Sequence, residues 1–102
     1  MNVLGGGPEA NEARFSSAVL HDEPNLRVVA FHLLAGQAIP PHSSPCTVSV
    51  QVIEGEGLFH GDAGEALLAA GQTAVYAPGE AHAIRPVGGP LRFRAFIAPR
   101  PG

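Results

Sequence analysis

At 102 residues and a formal charge of −3 the chain has room for one domain and one core. Hydrophobic residues make up 45% of it and charged residues only 15%, so much apolar surface must be covered by a compact fold or by association. The six basic residues are scattered, which leaves no electrostatic footprint for nucleic acid or an anionic membrane surface. No apolar run approaches the roughly 20 residues that span a bilayer, and the start MNVLGGGPEANEARF lacks the order of a signal peptide. A cytoplasmic location is expected. The single cysteine, Cys46, has no partner for an internal disulfide, in keeping with a reducing compartment.

In chain order, residues 1–12 are Gly-rich and polar without periodic apolar positions and read as a flexible lead-in; residues 13–102 read as one domain. From Phe15 onward short apolar runs alternate with turn signals every 8 to 12 residues or so, the pattern of an all-β sandwich or barrel. The predicted strands are Phe15–Leu20, Leu26–Leu34, Thr47–Glu54, Gly57–His60, Ala66–Ala69, Thr73–Ala77, His82–Arg85 and Leu91–Ala98. Breaks are expected at Asp22-Glu23-Pro24-Asn25, Pro40-Pro41, Gly55-Glu56, Gly61 to Gly64, Gly71-Gln72, Pro78-Gly79 and Gly88-Gly89-Pro90. Glu65 to Ala70 contains good helix formers, but six residues between two glycines are too few to nucleate a helix, so a strand is expected there.

The sharpest local expectation is a hairpin with a two-residue turn at Glu54-Gly55-Glu56-Gly57. Its register would set Ile53 against Leu58, Val52 against Phe59 and Gln51 against His60. Val48, Val50, Val52 and Phe59 would then share one face. Ser49, Gln51, Ile53, Leu58 and His60 would share the other.

Gly36 to Gly55 (GQAIPPHSSPCTVSVQVIEG) resembles the first cupin motif, G-x5-H-x-H-x3,4-E-x6-G, with its spacings intact. His42 stands at the first ligand position, Ser44 where the second His belongs and Val48 where the Glu belongs. Gly71 to His82 (GQTAVYAPGEAH) is similar to the second motif, G-x5-P-x-G-x2-H, with the proline displaced to Pro78, Ala77 in its place and Pro86 where the closing Asn would fall. The resemblance covers residues 36–86, about half the chain. It implies a small jelly-roll β-barrel of two antiparallel sheets whose interior pocket keeps two of four metal-ligand positions. It also implies that His42 and His82 share that pocket, and that the barrel pairs as a homodimer.

Two imidazoles and waters would hold a borderline divalent ion (Zn, Ni, Cu, Fe or Mn) only loosely, since tight sites use three or four protein ligands. Cys46 has the strand parity of Ser44 and Val48, so it is either an inward thiolate ligand or a small buried hydrophobe. Ser44, Val48, Val50, Val52 and Phe59 are expected to wall the pocket. His60 falls on the opposite face, His32 lies in a run where alternation gives no answer, and His21 reads as an exposed turn residue. Tyr76 reads as a packed aromatic. Glu54, Glu56, Asp62, Glu65 and Glu80 fall at turns or edges and read as solubilising charges.

No nucleophile elbow, zincin, P-loop or dithiol motif occurs. Two functions remain in view. One is a barrel whose pocket binds a small molecule, with or without a weakly held metal. The other, implied by the resemblance, is a mononuclear-metal oxygenase or isomerase acting on a small organic substrate.

Overall fold

The computed structural model describes residues 1–101. They form seven strands and no helix: β1 Ser16–Glu23, β2 Leu26–Leu33, β3 Ile39–His42, β4 Thr47–Gly61, β5 Gly64–Ala69, β6 Thr73–Tyr76 and β7 His82–Ala98. Every pairing is antiparallel.

The architecture rests on β4 and β7, which pair twice. Thr47 to Val52 run against Ala98 to Phe93, and Glu56 to His60 run against Val87 to Ala83. Between these stretches the register slips at Glu54 and Glu56, and both strands pass from one sheet into the other. The first sheet is therefore β1-β2-β7-β4-β6, using the second half of β7 and the first half of β4. The second is β3-β7-β4-β5, using the opposite halves. Two antiparallel sheets facing each other and sharing two long strands make the expected jelly roll.

The hairpin expected at Glu54-Gly55-Glu56-Gly57 is not formed. This segment is the corner of β4, so Leu58 pairs with Leu67 and Arg85 instead of Ile53. Phe59 likewise meets Ala66 and Ile84, and His60 meets Glu65 and Ala83. A glycine at positive φ serves a bulge as well as a turn, and here the continuous partner β7 decides between them. Gly55 has φ 85°, and a Cβ on it would run into the Pro90 carbonyl oxygen of β7. Gly57 is equally confined, since a Cβ would lie 2.6 Å from Leu91 Cδ2. The predicted break at Gly88-Gly89-Pro90 is the matching bend in β7. An extra residue at the β4 corner flips side-chain parity as a turn would, so Val48, Val50, Val52 and Phe59 are all buried. Ile53 and Leu58, by contrast, lie on the outer faces of different sheets.

Two further boundaries differ from expectation. β1 runs on to Glu23, which shortens the turn to Pro24-Asn25 and places His21 within a strand, its Nε2 3.5 Å from Glu23 Oε2. Ile39–His42 is a strand despite Pro40-Pro41, because only Ile39 and His42 pair with β7. An edge strand with few ladder bonds tolerates proline. Glu65 to Ala69 is extended, as expected.

The core lies between the sheets around Leu33, Leu91 and Phe93, each 2% exposed or less. Phe31 stacks on Phe93 at 4.8 Å and 10°, and Phe59 meets it edge-on at 5.4 Å, both favoured aromatic geometries. The alternate residues of β2 face outward, under the N-terminal stretch. The Pro8 carbonyl lies 3.2 Å from His32 Nδ1, the Gly6 carbonyl accepts from Arg94, and Gly7 rests on Ala30, which is why an outward-facing alanine is buried.

Candidate functional site

Register brings the two histidines together. His42 at the end of β3 is the direct ladder partner of His82 at the start of β7, and directly opposed residues project to the same face. Their ring centroids lie 4.0 Å apart at 73°, an edge-to-face contact. His42 is exposed at the barrel mouth, whereas His82 is 5% exposed.

Both rings are oriented by local backbone. His42 Nδ1 lies 3.0 Å from the Pro40 carbonyl and His82 Nδ1 lies 3.2 Å from the Glu80 carbonyl. A carbonyl oxygen can only accept, so each Nδ1 carries the proton and each Nε2 bears the lone pair. Burial lowers the pKa of His82, the neighbouring His42 adds to the effect, and the Glu80 carbonyl and carboxylate oppose it. His82 is therefore kept neutral near pH 7. Its other face packs on Tyr76, with centroids 4.6 Å apart. Tyr76 is the packed aromatic expected; its hydroxyl donates to the His60 carbonyl, and burial with the nearby Glu80 charge pushes its pKa up to about 12.

Glu80 is more than a solubilising charge. Its Oε1 accepts from the Ala77 amide at 3.0 Å and its Oε2 from the Asp62 amide at 2.9 Å. It thus ties the loop that carries His82 to the β4–β5 turn. These two amides lower its pKa, and His82 contributes. The local sequence signal is the turn Ala77-Pro78-Gly79-Glu80, in which a carboxylate can reach back three residues.

A cavity of about 530 Å³ opens from the histidine pair into the barrel. Val48, Val50, Ile84, Phe31, Phe93 and Ala95 form much of its wall, and Phe15, Pro40 and Pro45 lie toward its rim. Among the described residues its polar lining is confined to His42, Ser43, Ser44 and His82, with no Asp, Glu or Arg. Of the residues expected in the pocket, Ser44, Val48 and Val50 line it. Val52 and Phe59 are buried deeper in the core, off the lining. Cys46 is buried and also off the lining; its amide donates to Ser44 Oγ at 3.1 Å. His60 is on the outer face, 4.0 Å from Glu65. Sequence reasoning missed Phe31, whose run is apolar on both parities, and also Phe93 and Ala95, although the alternation Leu91-Arg92-Phe93-Arg94-Ala95 signals that these two face inward.

The donor set fits a tightly held metal poorly. Among the described residues no group of three or more His, Cys, Asp or Glu side chains is gathered to hold an ion. Ser44 and Val48, at the places where the cupin motif carries its other two ligands, offer no imidazole or carboxylate.

Residues 29–99 match the model of the AraC-like ligand binding domain. The chain belongs to that family. The domain is also similar to solved structures over nearly its whole length. TT1209 from Thermus thermophilus is 26% identical, with 92% of this chain and 91% of that one covered and a TM-score of 0.86. An RmlC-like cupin protein from Desulfovibrio desulfuricans is 29% identical over 97% and 94% of the two chains, with a TM-score of 0.82. A conserved protein with a double-stranded β-helix domain from Klebsiella pneumoniae is also 29% identical, over 89% and 82%, at 0.82. A comparison with curated proteins finds no match. The AraC-like domain described here is a small cupin barrel, as its two motifs implied.

Proposed function

We propose that the protein is a binding module that holds a small, largely apolar organic molecule in the barrel cavity without depending on a tightly bound metal. The observation that carries this reading is the cavity of about 530 Å³, apolar along its walls and polar only at the histidine end. Ligand sites are commonly concave and apolar, with a few placed polar groups, in volumes of roughly 300–1,000 Å³. The family description, a ligand binding domain, supports it. The alternative of a mononuclear-metal oxygenase or isomerase would need at least a third protein ligand beside His42 and His82, and among the described residues no such cluster supports it.

The test compares the wild type with Ala95→Phe, which fills the cavity from a buried position on β7. Native mass spectrometry and thermal shift with naphthalene-sized probes should give one bound molecule and a raised Tm for the wild type, and neither for a folded Ala95→Phe. Equal binding by both proteins would place the ligand elsewhere. No binding by the wild type would end the proposal.

A further inference from the structure

We infer that the ligand presents a hydrogen-bond donor, a hydroxyl of the alcohol or phenol kind, to the histidine end of the cavity, and that the site discriminates against carboxylates. This rests on the cavity reading above and deepens it.

Donors and acceptors at that end are unequally matched. Each Nδ1 is committed to the carbonyl two residues before it, Pro40 for His42 and Glu80 for His82. The tautomer so fixed leaves Nε2 on both rings as an acceptor with no proton to give. No hydrogen bond to either Nε2 occurs among the described residues, and no fully buried side-chain nitrogen or oxygen lacks a partner. The Nε2 of His82 therefore keeps access to open space, although the residue as a whole is buried. With both rings on the cavity lining and their centroids 4.0 Å apart, a ligand meets two neighbouring lone pairs. A hydroxyl satisfies one by donating. An ether oxygen satisfies neither, and a carboxylate sets its charge against them.

Among the described residues no cationic side chain on the lining offsets the charge of an anion. The six arginines lie elsewhere, and Arg100, next to the rim residue Pro101, is engaged with Asp22 at 3.5 Å. The serine hydroxyls are the only neutral donors at that end. Ser43 and Ser44 bring two hydroxyl protons, but each hydroxyl can also accept, as Ser44 Oγ does from the Cys46 amide at 3.1 Å, whereas neither Nε2 can donate. The balance of the polar end favours a donating ligand.

The experiment uses three molecules on one frame: 2-naphthol, its methyl ether and 2-naphthoate. They are titrated at about pH 8, where an ordinary imidazole is neutral. Methyl signals of Val50 and Ile84 report cavity entry, and long-range 1H–15N spectra of the histidines report the tautomer. Expected is 2-naphthol binding roughly three- to tenfold tighter than the ether, the worth of one neutral hydrogen bond, with naphthoate weaker than both. His42→Phe, which keeps an aromatic ring at the exposed mouth and removes one acceptor, should reduce that preference. Both rings should report protonated Nδ1. If the probes enter the cavity without preference, if naphthoate binds tightest, or if either ring is protonated at Nε2, this inference falls while the binding reading stands. If no cavity methyl responds to any of the three, both fall together.

Discussion

Placing His at position 44 and Glu at position 48, where the cupin motif carries ligands, tests the pocket geometry directly. Val48 is 4% exposed on β4, between its ladder partners Tyr76 and Ile97, and lies on the cavity wall with His42 and His82. Val48→Glu sets a carboxyl in that wall with no Arg on the lining to pair with it. An uncompensated buried charge of this kind costs about 3 kcal/mol. At roughly 4–8 °C per kcal/mol for a domain of this size, the Tm should fall by about 12–24 °C. Adding Ser44→His supplies a third imidazole, so the double variant carries four donors. Zinc at about a hundred times its Kd would then contribute about 2.7 kcal/mol, restoring roughly 11–22 °C. Thermal melts of wild type, Val48→Glu and the double variant, each with and without zinc, read this out, and calorimetric titration checks stoichiometry. A zinc-induced rise in the double variant no larger than in the wild type would show that these positions do not converge on one point.

The remaining predictions concern stability and association. His82 has a lowered pKa and faces His42, Tyr76 and Glu80; the unfolded chain therefore takes up its proton first as pH falls. The contribution of neutral His82 is complete above about 6.5 and is lost as pH drops below it toward the folded-state value, so urea midpoints should fall in that window and His82→Phe should flatten the slope. Glu80, whose pKa is lowered, contributes in the same sense at lower pH, above its ordinary value near 4.5; Glu80→Ala should lower the Tm and disperse the His82 ring signals, whereas unchanged His82 signals would deny it a positioning role. Gly55→Ala combines φ 85° with a collision at Pro90 and should cost more than about 2 kcal/mol, against about 1 kcal/mol for Gly79→Ala, where φ is 82° but the space is open; equal midpoints would refute the corner assignment. Val75, 67% exposed, and Ile53, 45% exposed, lie on the outer face of the first sheet, and apolar exposure of this kind favours pairing of copies. Light scattering should give a dimer at micromolar concentration that Val75→Glu dissociates, and a monomeric wild type would refute it.

Much of the strand content was legible because apolar runs and Gly or Pro breaks alternate so regularly from Phe15 onward. The errors in β4 and β7 share one cause. Glycine at Gly55 and Gly88 marks positive φ, and positive φ serves a turn, a bulge or a corner equally well. The choice is made by a partner strand distant in sequence. Because β7 offers a continuous edge to β4, the chain bends at Gly55 and stays paired instead of turning back on itself. The face assignment of Val48, Val50, Val52 and Phe59 survived that error, since a one-residue bulge and a two-residue turn produce the same parity change.

The site was legible for a different reason. Motif spacing placed His42 and His82 together, and the ladder partnership of β3 and β7 accounts for it. What the spacing could not convey is which ring nitrogen remains available. That is settled by a relation repeated at both positions, the Nδ1 of each histidine against the carbonyl two residues earlier. Such a contact depends only on the local path of the chain through Pro40-Pro41 and through Glu80-Ala81. It needs neither the His that Ser44 replaces nor the Glu that Val48 replaces. A barrel with Ser44 and Val48 at those places can therefore hold both imidazoles in one orientation with their lone pairs free, and an acceptor pair so fixed suits the organic ligand proposed above.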